Sequence, residues 1–465
     1  MKKLRIGLLP LYIQLYDDYF AQLRPRIEAF YATIVRSFEQ RGVEVVESGM
    51  CKVRSECAEA VHRFETQGVD ALVTLHLAYS PSLESAAVLA ATELPVIVLD
   101  TTPTYDYSPQ QDPEELMYNH GIHGVQDLCN LLLRSDKRFL LEAGHWSESD
   151  VLDRVVEGVK AARIVHHLRH ARVGRLGKTF AGMGDFDVPT DVLRRTIGLE
   201  TVILDASSLG EGAASAISDA AIEQEMQEDQ RAYESAGVDA AVHRQSTRAC
   251  LTMRQLIEEH RLTAFTVNFL DVTGQSGLSS MPFLEVSKAM GRGIGYAGEG
   301  DVLTAALVGA LLAVYPETSF TEMFCPDWKH NRVFLSHMGE MNLKVCSGKP
   351  VLREMSFPFT DADNPVVAYG RFRGGQAVYV NLAPGREGEY RLILSPITMT
   401  EVEGEDRMAG SIRGWFEPPV PVADFLTAYS RQGGTHHGAI VYGDVLRALT
   451  ELGELMGWPT VIINE

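Results

Sequence analysis

Residues 4–101 restrict the fold most narrowly. Short apolar runs alternate there with longer amphipathic stretches: Leu4–Leu11, then Phe20–Arg41; Val43–Ser48, then Ser55–Gln67; Ala71–His76, then Ser82–Ala91; and finally Leu94–Leu99. Runs rich in Val, Ile and Leu suit strands buried on both faces, and the amphipathic stretches suit helices laid over them. Together they make the βαβ rhythm of a doubly wound parallel sheet. Ligands of such sheets gather at the carboxyl ends of the strands, so Leu11-Tyr12, His76 through Pro81 and Asp100 through Thr102 are the loops to inspect. His76, at a strand end, is a candidate substrate contact; its alternative role is to bond a neighbouring loop.

The alternation continues and then changes. A loop rich in Pro, Tyr, Asp and Gln covers residues 103–112, and Pro113–Arg134 has a helical pattern that places His120 and His123 on one face. After a long helix over Ser147–Ala171 the rhythm restarts with a strand at Arg172, which sets a first domain at 1–171. Strands are expected at Thr201–Leu204 and Ala264–Phe269, with a helix over Thr247–His260. The acidic block Asp219–Ala236 reads as a helix with a solvated face. From Val345 onward the runs are short and separated by Gly, Pro and Asp: Val351–Phe357, Pro365–Phe372, Gln376–Leu382, Tyr390–Ser395 and Met399–Val402. That pattern reads as an antiparallel sheet or small barrel. Helices follow at Val422–Arg431 and Tyr442–Met456, on either side of a Gly-Gly-Thr-His-His turn, and the chain ends on Pro459–Asn464. The expected organisation is therefore 1–171, 172–318 and 319–465. A chain of 465 residues supports it, since single cores stop growing at roughly 250–300 residues.

Charge excludes some functions. With 62 acidic against 42 basic residues the formal charge is −20, which repels nucleic acid and anionic membrane surfaces and leaves neutral small molecules or cations as ligands. The six cysteines have no CxxC spacing, so free thiols in a reducing cytoplasm are expected. The apolar run after Met1-Lys-Lys is short, is cut by Pro10 and lacks a cleavage signal, and it reads as a first strand rather than a leader. No stretch is apolar over the length needed to span a bilayer.

Four short motifs in the last third carry the chemistry. Glu299 lies in Gly295-Tyr296-Ala297-Gly298-Glu299-Gly300-Asp301, between glycines that let the chain turn sharply off a strand end. Asp301 then caps an apolar helix. Glu322 and His337 sit in strand-like runs, Ser319–Phe324 and Arg332–His337, and His436-His437 closes the Gly433-Gly434-Thr435 turn. Taken singly, each has a plainer reading: a carboxylate at a helix start, a strand residue, a satisfied core histidine, a turn pair. Carboxylates and imidazoles among small or apolar neighbours, without a thiolate, suit Mn²⁺, Fe²⁺ or Co²⁺.

Tyr-Ala-Gly-Glu-Gly-Asp followed by Thr-Ala-Ala-Leu, then Ser-Phe-Thr-Glu, Ser-His-Met and Gly-Gly-Thr-His-His, resembles in order and spacing the L-arabinose isomerase family of the L-fucose isomerase-like superfamily. The resemblance implies two doubly wound parallel-sheet α/β domains followed by a C-terminal domain containing an antiparallel β-barrel. It implies a cytoplasmic, metal-dependent aldose–ketose isomerase acting on a sugar, with Mn²⁺ or a related divalent cation such as Co²⁺ or Fe²⁺. Glu299, Glu322, His337 and His437 would hold the metal, and Glu299 and Glu322 would also move the protons. His76, Phe269 and His436 would contact substrate. His123 would do so in an adjacent subunit, within a homo-oligomer, trimer or hexamer, whose sites lie at subunit contacts. The runs Met323-Phe-Cys-Pro-Asp-Trp328 and Leu9-Pro-Leu-Tyr-Ile-Gln14 depart from the arabinose enzymes, so a pentose or hexose is expected rather than L-arabinose in particular. A related metal enzyme on another sugar derivative or polyol, and a non-catalytic sugar-binding paralogue, are the alternatives.

Overall fold

A computed structural model describes residues 2–204, 217–235 and 237–464. The chain forms two compact units, one of residues 1–166 with 447–457 and one of 167–446 with 458–465. In the first, strands β1 (Arg5–Leu11), β2 (Glu44–Glu47), β3 (Ala71–His76), β4 (Val96–Asp100) and β5 (Phe139–Ala143) form one sheet in the order β2-β1-β3-β4-β5. Every pairing in it is parallel, as the alternating rhythm requires. Leu9, Leu72 and Val98 from the strands and Phe64 and Leu128 from the covering helices share one buried cluster.

This unit also contains a buried acid cluster. Glu451, on the helix Leu446–Met456, is buried near Glu142 and Glu157. Arg447 Nε lies 2.9 Å from Glu451 Oε1, yet neither carboxylate oxygen has a hydrogen-bond partner, so the contact is an ion pair without hydrogen-bond alignment. Burial, helped by the neighbouring Glu142 and Glu157 charges and only partly opposed by Arg447, pushes the Glu451 carboxyl up to about 8. A folded-state value above the ordinary 4.5 contributes stability that is complete below 4.5 and lost as pH rises through about 8. Glu451→Gln copies the neutral form, so its thermal midpoint should gain on the wild type between pH 5 and pH 9. A difference in midpoint that is the same at both pH values would count against the buried protonated carboxyl.

The second unit begins with β6 (Arg172–Leu176), β7 (Glu200–Leu204), β8 (Glu234–Ser235), β9 (Ala264–Val267) and β10 (Gly295–Gly298). Four of these form a parallel sheet in the order β10-β9-β6-β7. The following strands are β11 (Thr318–Asp327), β12 (Arg332–Ser336), β13 (Val351–Glu354), β14 (Val366–Tyr369), β15 (Gly375–Pro384), β16 (Tyr390–Met399), β17 (Gly414–Glu417), β18 (His437–Tyr442) and β19 (Thr460–Ile462). β15, β18, β11, β12, β17 and β16 pair in that order, and β16 returns to β15, so a six-stranded antiparallel barrel closes. Closure leaves no free edge within the ring. β8, β13 and β14 form a small side sheet.

The helix Val302–Leu312 is buried along its whole length and packs against β9, β10, β11 and β18. Its sequence, apolar on every side, leaves no face suited to water. Each of Leu303, Leu307 and Leu311 contributes roughly 1.5–3 kcal/mol by leaving solvent, and the helix ties the parallel sheet to the barrel.

Several local expectations change. The helix expected over Pro113–Arg134 begins only at Ile122, after a single turn at Pro113–Glu115, so His120 precedes it. Met399–Val402 is not a separate strand: β16 runs unbroken to Met399, and the barrel strand after it is β17. The expected helix Tyr442–Met456 begins only at Leu446, because Tyr442 pairs with Ala377 as the last residue of β18. The acidic block is a helix over Asp219–Ala232, and its expected last residue, Ala236, lies outside the described residues. Its face is not wholly solvated: Glu225 and Asp229 are buried. Arg254 meets Glu225 and Glu285, and Lys288 meets Glu225 and Asp229, which repays part of the desolvation cost. Among the described residues no helix is long and apolar enough to cross a membrane.

Candidate active site

The barrel register brings the motifs together. Glu322 on β11 stands opposite Ser336 on β12 and opposite His437 on β18. Side chains directly opposite in antiparallel strands share a face, so His437 lies beside Glu322, and His337, the next residue after Ser336, lies at the end of β12. Phe320, two residues before Glu322 and therefore on its face, sits edge-on to both rings, 4.9 Å from His337 and 5.1 Å from His437.

Glu299 arrives from the parallel sheet. It follows β10 with φ +63°, and Gly300 with φ +86° continues the left-handed turn. A non-glycine residue in this region is strained, and such strain persists only where the surroundings over-determine it. Here Glu299 N–H donates to Val267 O at 3.0 Å, Gly300 N–H to Thr266 Oγ1 at 2.9 Å, and the Thr266 hydroxyl to Gly298 O at 3.1 Å. Gly298 has no alternative, since a Cβ there would stand 2.7 Å from His337 Cε1.

Carboxylates hold the imidazoles from behind. Asp301 caps its helix by accepting from Thr304 N–H at 2.9 Å with one oxygen, while the other accepts from His437 Nδ1 at 3.0 Å. Glu340 Oε1 accepts from His337 Nδ1 at 2.7 Å. Each ring therefore carries its proton on Nδ1 and turns Nε2 towards the glutamates, the arrangement of carboxylate–histidine–metal triads. His337 Nε2 lies 4.0 Å from Glu322 Oε2, and His437 Nε2 lies 4.0 Å from Glu299 Oε2. The ligand atoms fall into two overlapping groups, Glu299, His436 and His437, and Glu322, His337 and His437, each within 4.8 Å. Both Glu299 Oε2 and His437 Nε2 are buried without a hydrogen-bond partner. Such orphans are costly in a folded chain, and a divalent cation between them would satisfy both. The residues fit a metal of the manganese type.

The two carboxyls feel different surroundings. Burial raises both, but at Glu299 the nearby His436 imidazole and the charges of His437 and His337 outweigh it and leave the carboxyl below its ordinary value. At Glu322 burial prevails over the histidines, with Glu299 adding to it, and the carboxyl is raised. At His337 burial opposes the proton, but Glu340 and the two glutamates favour it more, and the net shift is upward.

The remaining candidates lie as follows. His436 is in the cluster, with Nε2 3.6 Å from Glu299 Oε2. Phe269, in the same unit, is buried and stacks on Phe180 at 5.4 Å. His76 and His123 belong to the first unit. His76 is buried, its Nδ1 is 2.7 Å from Ser80 Oγ, and burial pushes its pKa down to about 3, so it is neutral. His123 is exposed and bonded to His120. Thr266, Asp185 and Glu340 are absent from the sequence reading. Glu340 had a signal, since a carboxylate three residues after His337 reaches back to it. Asp185, 251 positions from its partner His436, had none.

Residues 196–315 match the family model of the L-arabinose isomerase central domain, and residues 317–459 that of the L-arabinose isomerase C-terminal domain. An L-arabinose isomerase of Herpetosiphon aurantiacus is 26% identical over 362 residues, covering 74% of this chain and 70% of its own. That of Geobacillus thermodenitrificans is 23% identical over 428 residues, covering 89% and 84%. L-arabinose isomerase 1 of Bacillus licheniformis is 24% identical over 361 residues, covering 76% and 72%.

Proposed function

Because this chain belongs to the L-arabinose isomerase family, we propose that it is a metal-dependent isomerase that interconverts an aldose and a ketose, pentose or hexose, by proton transfer through an enediolate. The observation that supports this most is the convergence of two half-buried glutamates from separate elements on the buried His337 and His437, with Glu299 Oε2 and His437 Nε2 left unpartnered. Glu299, Glu322, His337 and His437 would hold Mn²⁺ or a similar cation. When bound, the cation supplies Lewis acidity and a template for two neighbouring sugar oxygens.

The protein's own groups then carry the protons. In the aldose-to-ketose direction one glutamate takes the proton from C2, the electron pair forms the C1–C2 double bond of the enediolate, and C1 is protonated as the C2 carbonyl forms. The proton on O2 is transferred to O1, so atoms and charge balance. Glu299, from the sheet end, and Glu322, from the barrel, are the only carboxylates in the ligand groups found among the described residues, and each is suited to general acid–base work. Asp301 and Glu340 keep the histidines' Nε2 atoms turned inward. The same reading makes the protein a homo-oligomer, with His123 reaching a neighbouring copy's site and His76, Phe269 and His436 contacting sugar.

The test is a panel of aldopentoses and aldohexoses, with Mn²⁺ and after chelation, assayed for the ketose. At least one sugar should be converted, and chelation should abolish conversion. Turnover that survives complete chelation would remove the metal from the reading, and no turnover on any sugar would remove the isomerase.

A further inference from the structure

The loop between β6 and β7 touches the site at separate points. Phe180 N–H donates to the carbonyl of Glu299 at 2.8 Å. Asp185 Oδ2 accepts from both the backbone N–H of His436, at 3.0 Å, and its ring Nδ1, at 2.7 Å. Phe186, the next residue, is buried and stacks flat on the His437 ring at 5.0 Å. With Nδ1 committed to the carboxylate, His436 has only Nε2 free, and that atom faces Glu299 Oε2. Two N–H groups bound to a single oxygen fix both the backbone and the ring plane of His436, which lies half-buried at the edge of the ligand cluster.

We propose that Asp185 is a positioning residue: acting through His436, it holds Nε2 where it bonds a hydroxyl of the bound sugar beside Glu299, and so aligns the reacting carbons with the two carboxylates. This rests on the isomerase reading above. Four other residues fill the metal role, which leaves His436 for the substrate, and a ring pinned on one nitrogen orients a ligand better than a free rotor does.

A double-mutant cycle tests it. Asp185→Ala, His436→Ala and the double variant are compared for kcat and KM on the best sugar of the panel. Manganese content and Mn²⁺-dependent binding of L-arabitol by calorimetry are measured on the same samples. Each single variant should lose about tenfold or more in kcat/KM, within the range that small misplacements cost, at unchanged manganese content. The double variant should be no worse than His436→Ala alone. Asp185→Glu, which keeps the carboxylate, should recover part of the loss that Asp185→Ala shows. Additive losses, full activity in Asp185→Ala or a parallel loss of manganese would overturn the proposal. A wild-type protein that binds L-arabitol but isomerises no sugar would sink the isomerase reading alone, and the cycle read on L-arabitol affinity still decides Asp185. A wild-type protein that does neither overturns both.

Discussion

Glu299→Gln and Glu322→Gln should each lower kcat by at least ~10²-fold, the low end for a lost general acid or base, while the variants stay folded. The substitution keeps size and one oxygen but removes the titrating group. Glu322 stands in the barrel ladder through backbone bonds that an amide does not disturb, and the Glu299 turn is held by Thr266 and Val267 rather than by its own carboxylate. A weakened metal site would imitate the effect, so manganese content belongs on the same samples. Isomerisation in D₂O gives an independent view: a proton that rests on a carboxylate exchanges with solvent, so some deuterium should appear at C1 of the ketose. Should either variant keep its metal and turn over near the wild-type rate, that glutamate is only a ligand and the two-carboxylate scheme fails.

Arg254→Ala should destabilise the second unit by about 3–5 kcal/mol, the usual cost of breaking a buried ion pair by removing one partner. Arg254 donates to both oxygens of Glu225, at 2.7 and 2.8 Å, and to Glu285 Oε2, at 2.6 and 3.0 Å. Glu285 is fully buried and Glu225 nearly so. Lys288 and Arg292 remain as partial partners, which favours the lower part of that range. The penalty has a pH signature. Burial raises Glu225, but Arg254 and Lys288 outweigh it and hold the carboxyl down at about 2 against an ordinary 4.5. A depressed value contributes stability that is present above 4.5 and lost as pH falls through about 2. Urea midpoints of wild type and variant should therefore converge on acidification through that window. Midpoints equal at pH 7 would show that the network contributes nothing.

Much of this was open to reading in the chain. Parallel sheets follow from continuous apolar runs separated by amphipathic ones, because a strand covered on both faces has no polar side to show. The turn at Glu299 is legible because glycines flank it, and the helix after it because its residues are apolar all round and Asp301 stands at its start. The misreadings fall where two periods fit one segment. Tyr442 both ends the apolar run before it and opens the helical pattern after it, and such an overlap cannot by itself fix where a helix starts; pairing to β15 makes Tyr442 the last residue of β18, and the helix begins only at Leu446. The acidic block looked solvated because like charges normally are, yet Lys288 and Arg254, from helices later in the chain, draw Glu225 and Asp229 inside.

The sequence by itself determined the layering, the antiparallel character of the last third, and which carboxylate and imidazole motifs to look for together, since each depends on local composition, spacing or motif order. Tertiary structure alone decided which of those groups meet. Glu322 and His437 are 115 positions apart and become neighbours only through the register of β11 and β18. A slip of one residue would have turned the glutamate to the other face of the barrel wall. Asp185 and Asp301 became the orienting partners of His436 and His437 for the same reason: hydrogen bonds across long separations depend on where closed sheets and buried helices place their ends, and no local pattern encodes that.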